Sequence, residues 1–111
     1  MKGKLIIQVE AFPKDTNPRG DIFGGWLMSL MDVATTWIAP EGRSATRAAN
    51  NIEFLKPVKV GDLVSCYGYV LETGKTSATV HVDVYVGKEL VAKGDFINVA
   101  LDEHGNKRVI K

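Results

Sequence analysis

The spacing of hydrophobic and polar positions changes twice along this chain. Over residues 4–12, "KLIIQVEAF" alternates and puts Ile7, Val9 and Ala11 on one face, which predicts a strand. "PKDTNPRG" (13–20) is dense in turn formers and predicts a loop. Between 22 and 39 the period lengthens to that of a helix, and Pro40 with Gly42 ends it. At about 100° per residue, Phe23, Leu27, Leu30, Ala34 and Ile38 cluster within roughly a 90° arc, the side expected to meet a sheet. The period then returns to two. "SATRAANNIEFL" (44–55), "DLVSCYGYVLET" (62–73), "TSATVHVDVYV" (76–86) and "LVAKGDFINVAL" (90–101) predict four more strands, the third with Val80, Val82, Val84 and Val86 on one side.

One helix cannot cover both faces of five flat strands. The order predicts a single α+β domain over residues 1–111, a curved antiparallel sheet wrapped round one long central helix. Its other face and its edges need a cover, and in so short a chain a second subunit is the expected one.

Composition narrows the partners. The chain is 45% hydrophobic with a formal net charge of +1, so no basic excess exists to neutralise a row of phosphates, and no nucleic-acid partner is expected. The apolar run near the N-terminus is too short for a signal segment and none approaches a membrane span. A single cysteine, Cys66, rules out an intramolecular disulfide. These features predict a cytoplasmic protein with no membrane partner.

The stretch "NPRGDIFGGWLMSLMD" (17–32) carries the candidate chemistry. Asp32 is the one carboxylate between Ile22 and Pro40, and the helix-spaced positions 28, 29, 35 and 36 hold no base. It is either a solvated surface acid or an isolated carboxylate facing protein at an interface, where desolvation makes a stronger base. Gly24 and Gly25 stand at the helix start, where the first N–H groups have no internal partner. They either permit close packing or offer N–H groups to a carbonyl oxygen that gains negative charge.

The motif resembles the signature of hotdog-fold acyl-CoA thioesterases, specifically the broad-specificity bacterial YciA-like group and animal cytosolic acyl-CoA hydrolases. Asn17, Gly20, the run Phe23-Gly24-Gly25 and the pair Met31-Asp32 carry the likeness. It continues through "EFLKPVKVGDLV" (53–64) and "TGKTSATVHVDVYV" (73–86). The resemblance implies a hotdog fold, a homodimer at least, and a trimer of dimers as a possible hexamer. It implies hydrolysis of an acyl-CoA thioester to a carboxylic acid and coenzyme A without a cofactor or metal. Asp32 would be general base or nucleophile. Asn17 of the partner subunit would hold substrate or water, and a Gly24 or Gly25 N–H would polarise the carbonyl.

Other residues fit this picture less well. His81 and His104 lack zinc-ligand spacing, and a dehydratase of this fold would be expected to carry a helical His. Cys66 reads as an apolar filler in mid-strand. Asp15, Asp62 and Asp102 sit in turn contexts, and Trp26 and Trp37 read as packing anchors. Arg43, Arg47, Lys56, Lys59 and Lys75 are candidate contacts for coenzyme A phosphates, or scattered surface cations. The competing reading is a non-catalytic hotdog protein that binds acyl-CoA as a sensor or assembly module. The presence of both Asn17 and Asp32 favours the enzyme.

Overall fold

The computed structural model describes residues 2–110. Strand β1 (Lys4–Glu10) leads through a 3-10 turn at Pro13–Asp15 to the helix α1 (Gly24–Thr36). Strands β2 (Ser44–Phe54), β3 (Leu63–Thr73), β4 (Ser77–Val86) and β5 (Glu89–Ala100) follow. All pairings are antiparallel, and the order across the sheet is β1-β3-β4-β5-β2. The helix touches all five strands, so the sheet curls about it as the element order predicts. It is shorter than the expected 22–39 at both ends. Phe23 is extended at its start, and the chain turns at Trp37 before the Ala39–Pro40 peptide.

The valines of β4 behave as expected: Val80, Val82 and Val84 are fully buried and Val86 packs at the margin. The helix face differs from the expected arc. Leu27, Met31, Ala34 and Thr35 are the buried residues of α1, whereas Phe23 is 43% exposed and Leu30 and Ile38 are half-buried. The sheet-facing line is rotated towards Met31. Thr35 thereby enters the core beneath the helix, its hydroxyl donating to the Asp32 carbonyl at 2.9 Å. A bulge between Leu5 and Ile7 breaks the alternation of β1, so Ile6 and Ile7 both reach the core. Trp26 packs against the core, but Trp37 is 71% exposed and anchors nothing within the chain.

The outer face of the sheet is polar and ordered. His81 lies between Asp95 at Nδ1 and Asp83 at Nε2, both at 2.7 Å, and is a structural tie among β4 and β5. Asn51, at φ 55° in the β2 bulge, donates to the other oxygen of Asp95 at 2.9 Å. Asp62 and Asp102 accept backbone N–H bonds in their turns, as their sequence contexts indicate. Asp15 is buried rather than a simple turn residue, with Lys14 donating to one oxygen at 3.3 Å.

Two core positions generate tests. At Gly94 an added Cβ would collide with Ile52 Cδ1 and stand 3.2 Å from Met31 Cε. Gly94→Ala should therefore cost about 1–3 kcal/mol of stability by overpacking. Ile52→Val, which removes the colliding methyl, should recover part of that loss in the double variant. The midpoints of urea unfolding at constant slope measure both. Cys66 is fully buried in β3, and desolvation pushes its thiol up from 9.0 to about 12. It is thus neither a thiolate nor accessible near neutral pH, which removes it as a nucleophile. Between pH 9 and 12 the unfolded chain gives up this proton and the folded one retains it. The stability contribution is intact below that window and falls by about 1.4 kcal/mol per pH unit within it. Cys66→Ala should flatten that alkaline decline relative to the parent in denaturant titrations.

Candidate functional site

The loop before α1 is built by its own side chains. The Asn17 Oδ1 accepts from the N–H groups of Arg19 at 2.9 Å and Asp21 at 3.1 Å. These two donors identify the oxygen end of the amide and leave its NH2 without a hydrogen bond among the described residues. Gly20, at φ 87°, closes the turn by donating to the Asn17 carbonyl at 3.0 Å. The loop is then fixed to its surroundings. Ile22 N–H donates to Val58 O at 2.8 Å, Phe23 N–H to Asp15 O at 3.1 Å, and Lys59 pairs with Asp21.

The helix start lacks the usual capping groups. The preceding residue, Phe23, offers no side-chain oxygen, and the first turn carries no acid. The N–H groups of Gly24 and Gly25 have no hydrogen-bond acceptor among the described residues. They stand free at the positive end of a 13-residue helix. Both readings of the glycine pair have support. A Cβ at Gly24 would press the Phe54 ring at 3.1 Å, and one at Gly25 would press the Phe23 ring at 3.3 Å. Gly24 also borders an open cleft of about 290 Å³, together with Asn17, Arg19, Leu27, Phe54 and Lys56. Asn17 and Gly24 are therefore brought to one place.

Asp32 is not part of that cleft. It lies eight residues beyond Gly24, roughly 12 Å further along the helix axis at 1.5 Å per residue. One thioester carbonyl cannot touch both positions in the same chain. Asp32 is half-buried, and Thr46 of β2 donates its hydroxyl to Asp32 Oδ1. The hydroxyls nearer in sequence are engaged elsewhere: Ser29 donates to Trp26 O at 2.6 Å and Thr36 to Val33 O at 2.7 Å. Among the described residues no Lys, Arg or His forms an ion pair with Asp32. The flank of the helix around it is poor in charge, with Val33 and Trp37 exposed. Much of β2, an edge strand, is exposed as well.

Thr46 and Phe54 were not singled out by sequence reasoning. Each acts through a contact between strand and helix, which periodicity does not encode. The only available sign was position, since both lie on the strand that follows the helix. Of the candidate cations, Lys56 pairs with Glu89 at 2.8 Å and Lys59 with Asp21, while Arg43 donates to the Glu103 carbonyl at 3.3 Å. Arg19, not among those candidates, borders the cleft. No helix among the described residues is long and apolar enough to cross a membrane.

Comparison with known proteins agrees over most of the chain. The sequence profile of the thioesterase superfamily matches residues 19–93. The acyl-CoA thioester hydrolase YciA of Salmonella typhimurium is 40% identical over 96% of this chain and 90% of its own. A hexameric thioesterase of Yersinia pestis superposes with a TM-score of 0.92 at 40% identity, covering 100% of this chain and 98% of its own. A hexameric hotdog-fold thioesterase of Campylobacter jejuni gives a TM-score of 0.88 at 33% identity, over 98% and 91% respectively.

Proposed function

The chain belongs to the thioesterase superfamily and has the hotdog fold, and on that footing we propose which of its residues carry the reaction. It is an acyl-CoA thioester hydrolase. The observation that carries the assignment of roles is the division of the site: one helix holds two half-sites roughly 12 Å apart, each incomplete by itself. Two subunits related by a twofold axis bring unlike halves together. The Gly24 and Gly25 N–H groups receive the thioester oxygen as it becomes an oxyanion, and the free NH2 of Asn17 holds the substrate or the water beside it. Asp32 of the partner subunit supplies the carboxylate.

As general base, Asp32 takes a proton from water while the water oxygen bonds to the carbonyl carbon. The tetrahedral oxyanion collapses, the C–S bond breaks, and the proton passes to the departing thiolate. The products are a carboxylic acid and coenzyme A. A nucleophilic route through the same carboxylate has equal balance: its oxygen adds first, thiolate leaves, and water cleaves the resulting anhydride. Thr46 holds Oδ1, leaving Oδ2 to face the reactant in either case. The functional unit is a dimer at least, with three dimers joined as a hexamer by analogy with the hexameric relatives. The lone thiol of Cys66 suits a reducing cytoplasm.

Release of free thiol from a panel of acyl-CoAs measures the activity directly. Asp32→Asn should keep the fold and lower kcat by about 10²–10⁴, the range for loss of a general base. Parent-like turnover by this variant would make Asp32 structural and overturn the mechanism, whereas a parent without turnover would leave the binding-module reading.

The shared site makes a separate prediction. Asn17→Ala and Asp32→Asn homodimers should each be weak. When the two are mixed under subunit exchange, about half the dimers are mixed, and each mixed dimer has one intact site. Activity should recover to roughly a quarter of parent if the sites act independently. Mass spectrometry of differently tagged chains reports the exchange. Complete exchange without recovery would place both residues in one chain's site, or remove Asn17 from it.

A further inference from the structure

Phe54 is the last residue of β2, and its ring is only half covered. Its strand position opposite Ala92 is pinned on the far side, because the N–H groups of Leu55 and Lys56 both donate to Val91 O, at 2.8 and 3.3 Å. Two residues earlier, Ile52 packs into the core over Gly94. Phe54 instead reaches the start of α1, where it meets a glycine. Its Cζ, Cε2 and Cε1 atoms lie 3.1, 3.2 and 3.4 Å from where a Gly24 Cβ would be. The end of the ring therefore stands on the Gly24 α-carbon. The ring is still 49% exposed and walls the cleft that holds Asn17.

We infer that Phe54 is a specificity-determining residue, whose ring limits the bulk of the acyl group directly beside the reacting carbonyl. This rests on the assignment of the Gly24 and Gly25 N–H groups to the thioester oxygen. An oxygen held there at about 2.9 Å places its carbon about 1.2 Å further and the acyl α-carbon one bond beyond. The Phe54 ring end, 3.1–3.4 Å from where a Gly24 Cβ would stand, is a neighbour of any group held at the Gly24 N–H. A straight acyl chain can lie along the flat ring, whereas a methyl branch at the α-carbon meets its edge. All acyl-CoAs share one sulfur arm, so a wall on the acyl side discriminates among substrates and a wall on the sulfur side does not.

The test compares butyryl-, isobutyryl- and pivaloyl-CoA. In Phe54→Ala the kcat/KM of the branched substrates relative to butyryl-CoA should rise about tenfold, the lower end of what one methyl group is worth in a pocket. Phe54→Leu, which keeps bulk at the position, should leave that ratio within about twofold of parent. Circular dichroism and thermal unfolding check the fold, and Phe54→Val replaces the alanine variant if that one unfolds. An active parent with an unchanged ratio in a folded Phe54→Ala or Phe54→Val, whatever the common loss of rate, would overturn the inference alone. A parent inactive on every acyl-CoA would overturn the reading beneath it and the inference with it.

Discussion

A single helix of 13 residues has to cover the inner face of five strands, and the rest of the structure answers to that constraint. A helix is about 10 Å wide and strands lie about 4.8 Å apart, so a flat sheet would leave its outer strands bare. Curling brings each strand to the helix. The side chains that allow the close approach are small or β-branched: the valines of β4, Ala34 on the helix, and glycines at 68 and 94 where Ile38 and Ile52 take the missing volume. The helix flank turned away from the sheet exposes Val33, and Asp32 beside it meets the edge strand through Thr46. In the proposed site a second subunit would cover this exposed flank.

The same helix presents two polar features of different kinds. Its start offers donors without acceptors, and its middle offers an acceptor steadied by one hydroxyl. Capping the start with Ser or Asp would stabilise the helix by about 1 kcal/mol but would consume a donor. Phe23 at the cap and the absence of acids in the first turn leave those donors free at a cost in helix stability. The loop before it is held by Asn17 through its oxygen alone, so the residue can shape the loop and still present its NH2 outward.

Much of this was legible in the sequence. The period changes located every strand and the helix, and the poverty of charge around Asp32 made it a candidate, as either a solvated acid or an interface carboxylate. The helix face was rotated, because an arc drawn from hydrophobic residues gives weight to Phe23 and Ile38 and none to Thr35. In the fold Phe23 lies outside the helix and Thr35 satisfies its hydroxyl against the backbone, which lets a polar residue occupy the core. Trp37 read as an anchor because size suggests burial, yet its position beyond Thr36 faces no strand. Thr46 and Phe54 were invisible for another reason. Their partners, Asp32 and Gly24, are 14 and 30 residues away, and a single sequence records no pairing over such distances.

The strand order has a consequence for how the molecule is made. β5 lies between β4 and β2, so the strand that carries Thr46 and Phe54 has no neighbour until the last strand is in place. Ser44 must find Ala100, whereas the β4–β5 hairpin closes across a two-residue turn. The local hairpin can form quickly, but loop-closure entropy delays the join to β2. On the ribosome, the N-terminal half emerges with its helix and its edge strand both unsupported. The join that brings Thr46 and Phe54 into the sheet therefore waits for the last strand.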